Sequence, residues 1–165
     1  MKHTISVLVE NHPGVLSRIS GLFSRRGFNI DSLAVGVTDD PCVSRITIVA
    51  DGNEYTVEQI EKQLNKLIDV IKVKTLEPND LISRELVLVK VSVSAEKRSE
   101  IMTIAEIMGA KIIDLTLSSI TLEISDTPYH IQRFEELLHP YGIIEIVRTG
   151  IIAIQKGSDT ITNKK

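Results

Sequence analysis

The sequence of 165 residues has little of what most catalytic and metal-binding sites require. It contains one cysteine, no tryptophan and 4% aromatic residues, and its formal net charge is −3. A single cysteine excludes a disulfide framework and a metal site built from cysteines. Few aromatic rings and a slightly acidic balance argue against a general nucleic-acid binder and against binding to an anionic membrane surface. Hydrophobic residues nevertheless amount to 42%, which is enough for a globular core.

Long apolar runs are also missing from the sequence. No run reaches the roughly 18 residues that a transmembrane helix needs. The first residues, MKHTISVLVEN, alternate apolar and polar side chains from the start, unlike a signal peptide. The sequence therefore predicts a soluble cytoplasmic protein.

The known catalytic and metal-binding motifs are absent as well. The histidines at positions 3, 12, 130 and 139 have no ligand spacing, and there is no phosphate-binding loop or nucleophile elbow. Cys42 has no obvious base partner, and the adjacent Glu135 and Glu136 point in different directions on a helix. We predict no catalytic residue, no metal ligand and no enzymatic activity for this chain.

Apolar periodicity predicts the same order of elements, β-α-β-β-α-β, in each half of the chain. The first half has strands at 5–9, 28–37, 44–50 and 70–76, with helical stripes at 15–23 and 60–68. The second half has strands at 86–93, 112–117, 120–124 and 143–154, the last interrupted at Gly150, with helical stripes at 101–108 and 131–138. This order is the ferredoxin-like pattern, so the predicted fold class is α+β with two such units. We place the domains at 2–77 and 85–156, a linker at 78–84, and a polar, disordered tail at 157–165.

Local signals predict where the first two helices begin and end. Pro13 is expected at the first position of the first helix, and Arg25, Arg26 and Gly27 at its end. Thr56 and Gln59 have the spacing of a capping box for the second helix.

One face of each predicted sheet is left without helices. Val70, Val87 and Val89 are candidates for apolar residues on such faces. Their cover would come from a second copy of the chain or from the other unit, so they favour a homo-oligomer or packing of one unit on another.

The turn from the first strand to the first helix, residues 10–16, is the one place that suggests a ligand. A helix N-terminus carries free backbone N–H groups and partial positive charge, which suit a carboxylate. Gly14 allows a ligand close to the backbone, and the Asn11 side chain offers a carbonyl and an amide. An amino acid needs this pairing of functions. The alternative is that Asn11 and Gly14 only shape the turn and cap the helix.

At these residues the sequence resembles a known family. The resemblance is carried by residues 10–19 (ENHPGVLSRI), 21–33 (GLFSRRGFNIDSL), 44–48 (SRITI) and 59–70 (QIEKQLNKLIDV). Looser matches follow at 84–91, 110–114 (AKIID) and 148–150 (RTG), so that residues 2–156 are covered. The chain resembles the regulatory, or small, subunit of acetolactate synthase, also called acetohydroxyacid synthase.

This resemblance implies that the first unit is an ACT domain, which binds an effector and mediates dimerisation. It implies a homodimer that binds and activates the large catalytic subunit of acetolactate synthase. It also implies feedback inhibition by valine or another branched-chain amino acid, such as isoleucine, in branched-chain amino-acid biosynthesis. Thiamine diphosphate, FAD and Mg²⁺ would belong to the large subunit, with no cofactor on this chain.

The resemblance also assigns effector-site residues by position. They are Asn11, Gly14, Val15, Asn29 and Ile30. Because the effector of an ACT domain lies between two chains, Asn29 would serve a ligand held mainly by the Asn11 loop of the other protomer. His12 departs from the family pattern, in which an acidic or other polar residue is frequent at this position.

Two other functions have to be weighed against this one. An RNA-recognition module has the same element order, but it needs aromatic residues on strands that carry none here. A stand-alone ACT-type amino-acid sensor with a different partner is the alternative; the sequence shows neither a helix-turn-helix nor a basic face for DNA. Co-purification with a large thiamine-dependent protein would distinguish the regulatory subunit from the sensor.

Overall fold

Alternating apolar residues near the N-terminus form a strand, and helical spacing of apolar residues forms a helix directly after it. The computed structural model describes residues 1–162 and divides the chain into two units. The first unit contains residues 1–82 and 151–162. The elements of its N-terminal segment are β1 (Lys2–Glu10), α1 (Val15–Arg26), β2 (Ile30–Val37), β3 (Val43–Asp51), α2 (Glu54–Leu64) and β4 (Val70–Leu76).

The second unit, residues 83–150, repeats this order. Its first strand begins two residues before the boundary. The elements are β5 (Leu81–Ser92), α3 (Arg98–Met108), β6 (Lys111–Leu115), β7 (Ser119–Asp126), α4 (Pro128–Leu138) and β8 (Ile143–Arg148). Gly150, at φ 83°, follows β8, and the chain returns to the first unit with β9 (Ile152–Gln155).

Four strands of each sheet follow the same topology. The first has the strand order β2-β3-β1-β4 and the second contains the order β6-β7-β5-β8. All of these neighbouring strands are antiparallel. The predicted fold class, α+β with two ferredoxin-like units, is confirmed, as are the predicted order of elements and the interruption at Gly150.

In each unit the two helices pack on one face of the sheet, against alternate strand residues. The core of the first unit comprises Ile5, Val7, Val9, Val15, Ile19, Leu22, Phe23, Ile46, Ile48, Ala50, Val57, Ile60 and Leu64. The core of the second comprises Val87, Val89, Val91, Val93, Ile101, Ala105, Ile120, Leu122, Ile124, Ile131, Phe134 and Leu138. Burying one aliphatic or aromatic side chain stabilises the fold by about 1.5–3 kcal/mol. The alternation of apolar residues along the strands therefore determines which face of each sheet the helices cover.

The valines that were expected on open sheet faces lie in these cores instead. Val87 and Val89 are fully buried in the second core, and Val70 packs against the first. The open face of the second sheet carries the paired residues Leu88 and Val147, which are exposed. The prediction for these valines was wrong: they point to the face covered by the helices, and their neighbours along the strand point to the open face. They therefore give no support for a homo-oligomer.

The predicted helix starts were also wrong, for a reason of backbone geometry. The N-cap of α1 is Gly14 in the left-handed conformation, so Pro13 precedes the helix. The N-cap of α2 is Asn53, whose side chain accepts a hydrogen bond from the backbone N–H of Thr56, so no capping box starts at Thr56. The predicted end of α1 is confirmed, with Gly27 as a left-handed C-cap after two arginines.

Residues 151–162 pack on the face of the first sheet that its helices leave open. Ser32 and Arg45 lie on that face because they alternate with core residues. The Ser32 hydroxyl accepts a hydrogen bond from the Ile151 N–H at 2.8 Å, and Arg45 Nη2 donates to the Ala153 carbonyl at 2.9 Å. Ala153 and Ile161 are buried.

This segment differs from the predicted domain limits. The sequence analysis gave residues 151–156 to the second domain and expected a disordered tail at 157–165, yet Ile161 is only 6% exposed. Residues 163–165 of that tail lie outside the described residues.

Candidate functional site

The loop between β1 and α1 is shaped by one glycine. Gly14 has φ 91°, a conformation that side-chain-bearing residues rarely adopt, and it is the N-cap of α1. Its carbonyl accepts a hydrogen bond from the Arg18 N–H at 3.0 Å, which starts the helical hydrogen bonding. Val15 is 5% exposed and anchors the first turn in the core. The backbone N–H groups of this turn carry the partial positive charge of a helix N-terminus, which suits an anion.

Asn11 holds this loop against the turn between β2 and β3. Its backbone N–H donates to the Cys42 carbonyl at 2.7 Å, and its side-chain Nδ2 donates to the Pro41 carbonyl at 2.9 Å. Sequence reasoning offered both the amide and the carbonyl of Asn11 to a ligand. One N–H of the amide already has a protein acceptor, and the carbonyl oxygen is a hydrogen-bond acceptor suited to an ammonium group.

An ion cluster beside the loop was not found from the sequence. His12 Nε2 lies 2.9 Å from Asp69 Oδ1 and 3.2 Å from Glu10 Oε2, and Arg18 Nη1 pairs with Asp69 Oδ2. These groups come from the end of β1, the loop itself, α1 and the residue before β4. The only signal in the sequence is a set of charged residues around two turns, because nothing local indicates that Asp69 returns to this end of the sheet.

The contacts in this ion cluster perturb two of its members. The Pro13 carbonyl next to the ring, together with the charges of Asp69 and Glu10, raises the pKa of His12. The hydrogen bond from Arg18 holds the pKa of Asp69 below its ordinary value. Both shifts favour the charged form of the residue concerned.

Three side chains of this ion cluster have the donor types of a cation site. His12, Glu10 and Asp69 each place one nitrogen or oxygen within 4.8 Å of the others. However, Arg18 occupies the second oxygen of Asp69, and with His12 protonated the four charges cancel. The cluster is therefore complete as an ion network.

Asn29 and Ile30 lie at the other end of the sheet. Ile30 pairs with Ala50, which pairs with His3 at the start of β1, whereas the Asn11 loop follows Glu10 at the end of β1. The intervening strand is about 23 Å long at the usual rise per residue. Asn29 Nδ2 donates to Asp31 Oδ1 at 2.9 Å. One chain therefore brings together Asn11, Gly14 and Val15, but not Asn29 and Ile30.

A groove in the first unit contains none of the predicted site residues. It runs between α2 and the edge strand β4 and carries charged side chains of both signs. Within it, Glu61 Oε1 accepts hydrogen bonds from the backbone N–H of Thr75 at 2.9 Å and from its hydroxyl at 2.5 Å. These bonds satisfy the Thr75 N–H on the edge strand β4, so Glu61 has a structural role.

Comparisons with known proteins agree with the geometry of both units. Residues 5–72 match the family described as AHAS small subunit-like ACT domain, and residues 84–157 match the family described as small subunit of acetolactate synthase. The acetolactate synthase small subunit of Mycolicibacterium smegmatis is 48% identical over 155 residues, which is 94% of this chain and 91% of that protein. The chain belongs to the acetolactate synthase small-subunit family.

Further relatives of this small subunit support the assignment over its full length. A probable acetolactate synthase small subunit of Archaeoglobus fulgidus is 48% identical over 158 residues, 96% of this chain and 99% of that protein. The crystal structure of the acetolactate synthase small subunit from Thermotoga maritima superposes with a TM-score of 0.89 at 39% identity, covering 96% of this chain and 99% of that one. The resemblance stated from the sequence is confirmed: the chain is a regulatory ACT-domain subunit, not the catalytic one.

The helices of this small subunit do not meet the requirements of a membrane span within the described residues. Within residues 1–162, none is both long enough and apolar enough to cross a bilayer.

Proposed function

We propose that this small subunit binds a branched-chain amino acid, with valine as the first candidate, and transmits that binding to a large catalytic subunit of acetolactate synthase. The observation that carries the proposal is the loop at Asn11–Val15. There a glycine with positive φ opens the N-terminus of α1 beside an asparagine carbonyl oxygen. The N–H groups of this turn bind the effector carboxylate, and the Asn11 oxygen accepts from its ammonium group.

The second half of the effector site comes from another copy of the chain. The order β2-β3-β1-β4 places β2 at an edge of the first sheet, and the edge residues Val35 and Val37 are 48% and 59% exposed. Two copies that pair antiparallel through β2 bring the Asn29 end of one strand toward the opposite end in the partner, the end beside the Asn11 loop. The separation of these residues within one chain therefore supports a homodimer with effector sites across its interface.

The effector acts by changing the packing of the two copies. A ligand that contacts both chains stabilises one arrangement of the pair over others, and a catalytic subunit bound to the dimer responds to that arrangement. A coupling of about 1–3 kcal/mol is typical of such regulation. The catalytic subunit carries the thiamine diphosphate, FAD and Mg²⁺, and association with this chain raises its activity.

The test is reconstitution with the cognate catalytic subunit, assayed with and without valine, leucine or isoleucine. We expect Gly14→Asp to weaken inhibition about tenfold or more, because a side chain strains the left-handed backbone at this position and the carboxylate repels that of the effector. Asn11→Ala removes one ammonium acceptor and weakens inhibition less.

Activation of the catalytic subunit serves as the internal control in both variants and should persist. The exposed substitution Lys66→Ala is the matched control and should inhibit like the wild type. Unchanged inhibition in both Gly14→Asp and Asn11→Ala would remove the proposed site. If no complex with a catalytic subunit formed, the proposed partner would be wrong.

A further inference from the structure

Both ring nitrogens of His12 face hydrogen-bond acceptors. Nδ1 lies 3.3 Å from the Pro13 carbonyl oxygen, while Nε2 lies 2.9 Å from Asp69 Oδ1 and 3.2 Å from Glu10 Oε2. A neutral imidazole has only one N–H, so it must leave one of these nitrogens with a lone pair turned toward an acceptor. The imidazolium ion donates from both. The geometry therefore fits the protonated ring and disfavours the neutral one.

The charged groups around His12 connect separate parts of the first unit. Glu10 comes from the end of β1, Asp69 from the residue before β4, and Arg18 from α1. With the imidazolium present, two positive and two negative charges cancel. Without it, the cluster has a net charge of −1. The His12 side chain is 40% exposed, so it exchanges its proton directly with solvent.

We propose that protonated His12 acts as a latch: its contacts with Glu10 and Asp69 hold the loop that carries Gly14 in place. Effector binding therefore weakens when His12 loses its proton. This inference rests on the proposed function. Two effects act in the same direction. The imidazolium holds the loop, and hence the N–H groups of α1, in place through contacts on both sides of the ring. It also cancels negative charge near the point where the effector carboxylate binds.

The pH range in which effector binding weakens follows from the direction in which the pKa of His12 is shifted. An ordinary histidine loses its proton near pH 6.5. The Pro13 carbonyl and the nearby carboxylates raise the pKa of His12, so the latch is intact below this value and opens as pH rises through the higher one.

The first experiment tests the latch without an effector. NMR of the full chain follows the His12 ring and the backbone amides of Gly14 and Val15 from about pH 6 to about pH 8. We expect the ring to titrate above the ordinary histidine value and the two amides to shift with the same midpoint. His139→Gln, in an exposed histidine after α4, should leave this behaviour unchanged. A ring that titrates at the ordinary value, or amides that do not follow it, would overturn the proposal.

The second experiment measures binding of valine by calorimetry over the same pH range, in the wild type and in His12→Gln. We expect the wild-type affinity to fall about fivefold or more as pH rises, and the variant to bind weakly with no such slope. An equal slope in both proteins, or none in the wild type, contradicts the latch. Loss of the wild-type slope in EDTA would mean that a bound cation joins the three side chains, which also contradicts it.

Failure of the effector proposal has a different signature. If valine, leucine and isoleucine bind at no pH, while the amides of Gly14 and Val15 still follow the His12 proton, the latch stands and the proposed effector is wrong. If the amino acids bind with no influence of pH, the effector site stands and the latch is wrong.

Discussion

Asp69 shows how a single buried carboxylate depends on charges from elsewhere in the chain. Its side chain is 6% exposed and accepts from Arg18 and His12. Because Arg18 lowers the pKa of Asp69, the folded state binds this proton less readily than the unfolded state. The resulting stabilisation is present above the unfolded pKa of about 3.9 and disappears as pH falls through the lower folded value.

We therefore expect Asp69→Asn to lower the free energy of unfolding at about pH 7, with the difference from wild type shrinking below about pH 4. Urea unfolding at several pH values measures this difference, with the exposed Asp39→Asn as the control. A destabilisation by Asp69→Asn that is equal at every pH would show that the carboxylate charge is not responsible.

At this scale the sequence predicts the local features of the site but not its long-range contacts. Gly14 and Asn11 stand out because a turn between a strand and a helix restricts which residues fit. The pairing of Arg18 with Asp69 joins residues 51 positions apart, and no periodicity or spacing encodes it. The departure at His12 was visible in the sequence, but its ionic partners were not.

Helix α2 illustrates why elements are predicted more reliably than their boundaries. Its apolar stripe, which includes Ile60 and Leu64, identifies the helix because the buried face repeats at helical spacing. Its start depends on the extended backbone of Asn53, whose Oδ1 accepts from the Thr56 N–H at 2.8 Å. Thr56 is also a common capping residue, and only the backbone conformation decides between the two. The same is true of Gly14 and Pro13 at α1.

We expect Asn53→Ala to destabilise the first unit by about 0.5–2 kcal/mol, the usual cost of losing an N-cap side chain. Thr56→Ala should cost less than Asn53→Ala, because its hydroxyl donates to the cap and its backbone N–H remains. Chemical denaturation measures both variants against the exposed substitution Lys66→Ala. If Thr56→Ala were the more damaging change, the capping box predicted from the sequence would be correct after all.

At the scale of the whole molecule, the first unit is built from two segments of the chain. The N-terminal segment forms the sheet and its helices, and residues 151–162 return to cover the other face. On that face Ser6 and Thr47 are paired and buried. Sequence patterns show that this face needs a cover, but they do not identify the segment that supplies it, because its contacts join residues 108 and 119 positions apart.

A chain that ends at Gly150 tests this arrangement. It loses the hydrogen bond of Ile151 to Ser32, the acceptor of the Arg45 guanidinium, and the buried side chains Ala153 and Ile161. Burial lowers the pKa of Arg45, yet the guanidinium stays charged. When Ala153 is removed, this half-buried charge loses the carbonyl that accepts its hydrogen bond.

We expect the melting temperature of the chain that ends at Gly150 to fall by about 5 °C or more, with faster hydrogen exchange in β1 and β3 than in the full chain. A chain that ends at Thr162 is the control and should melt like the full protein, because it keeps every contact named above. Equal melting and equal exchange in the chain that ends at Gly150 would mean that the returning segment covers the sheet without stabilising it. The first unit would then fold without residues 151–162, as the first domain predicted from the sequence, residues 2–77, requires.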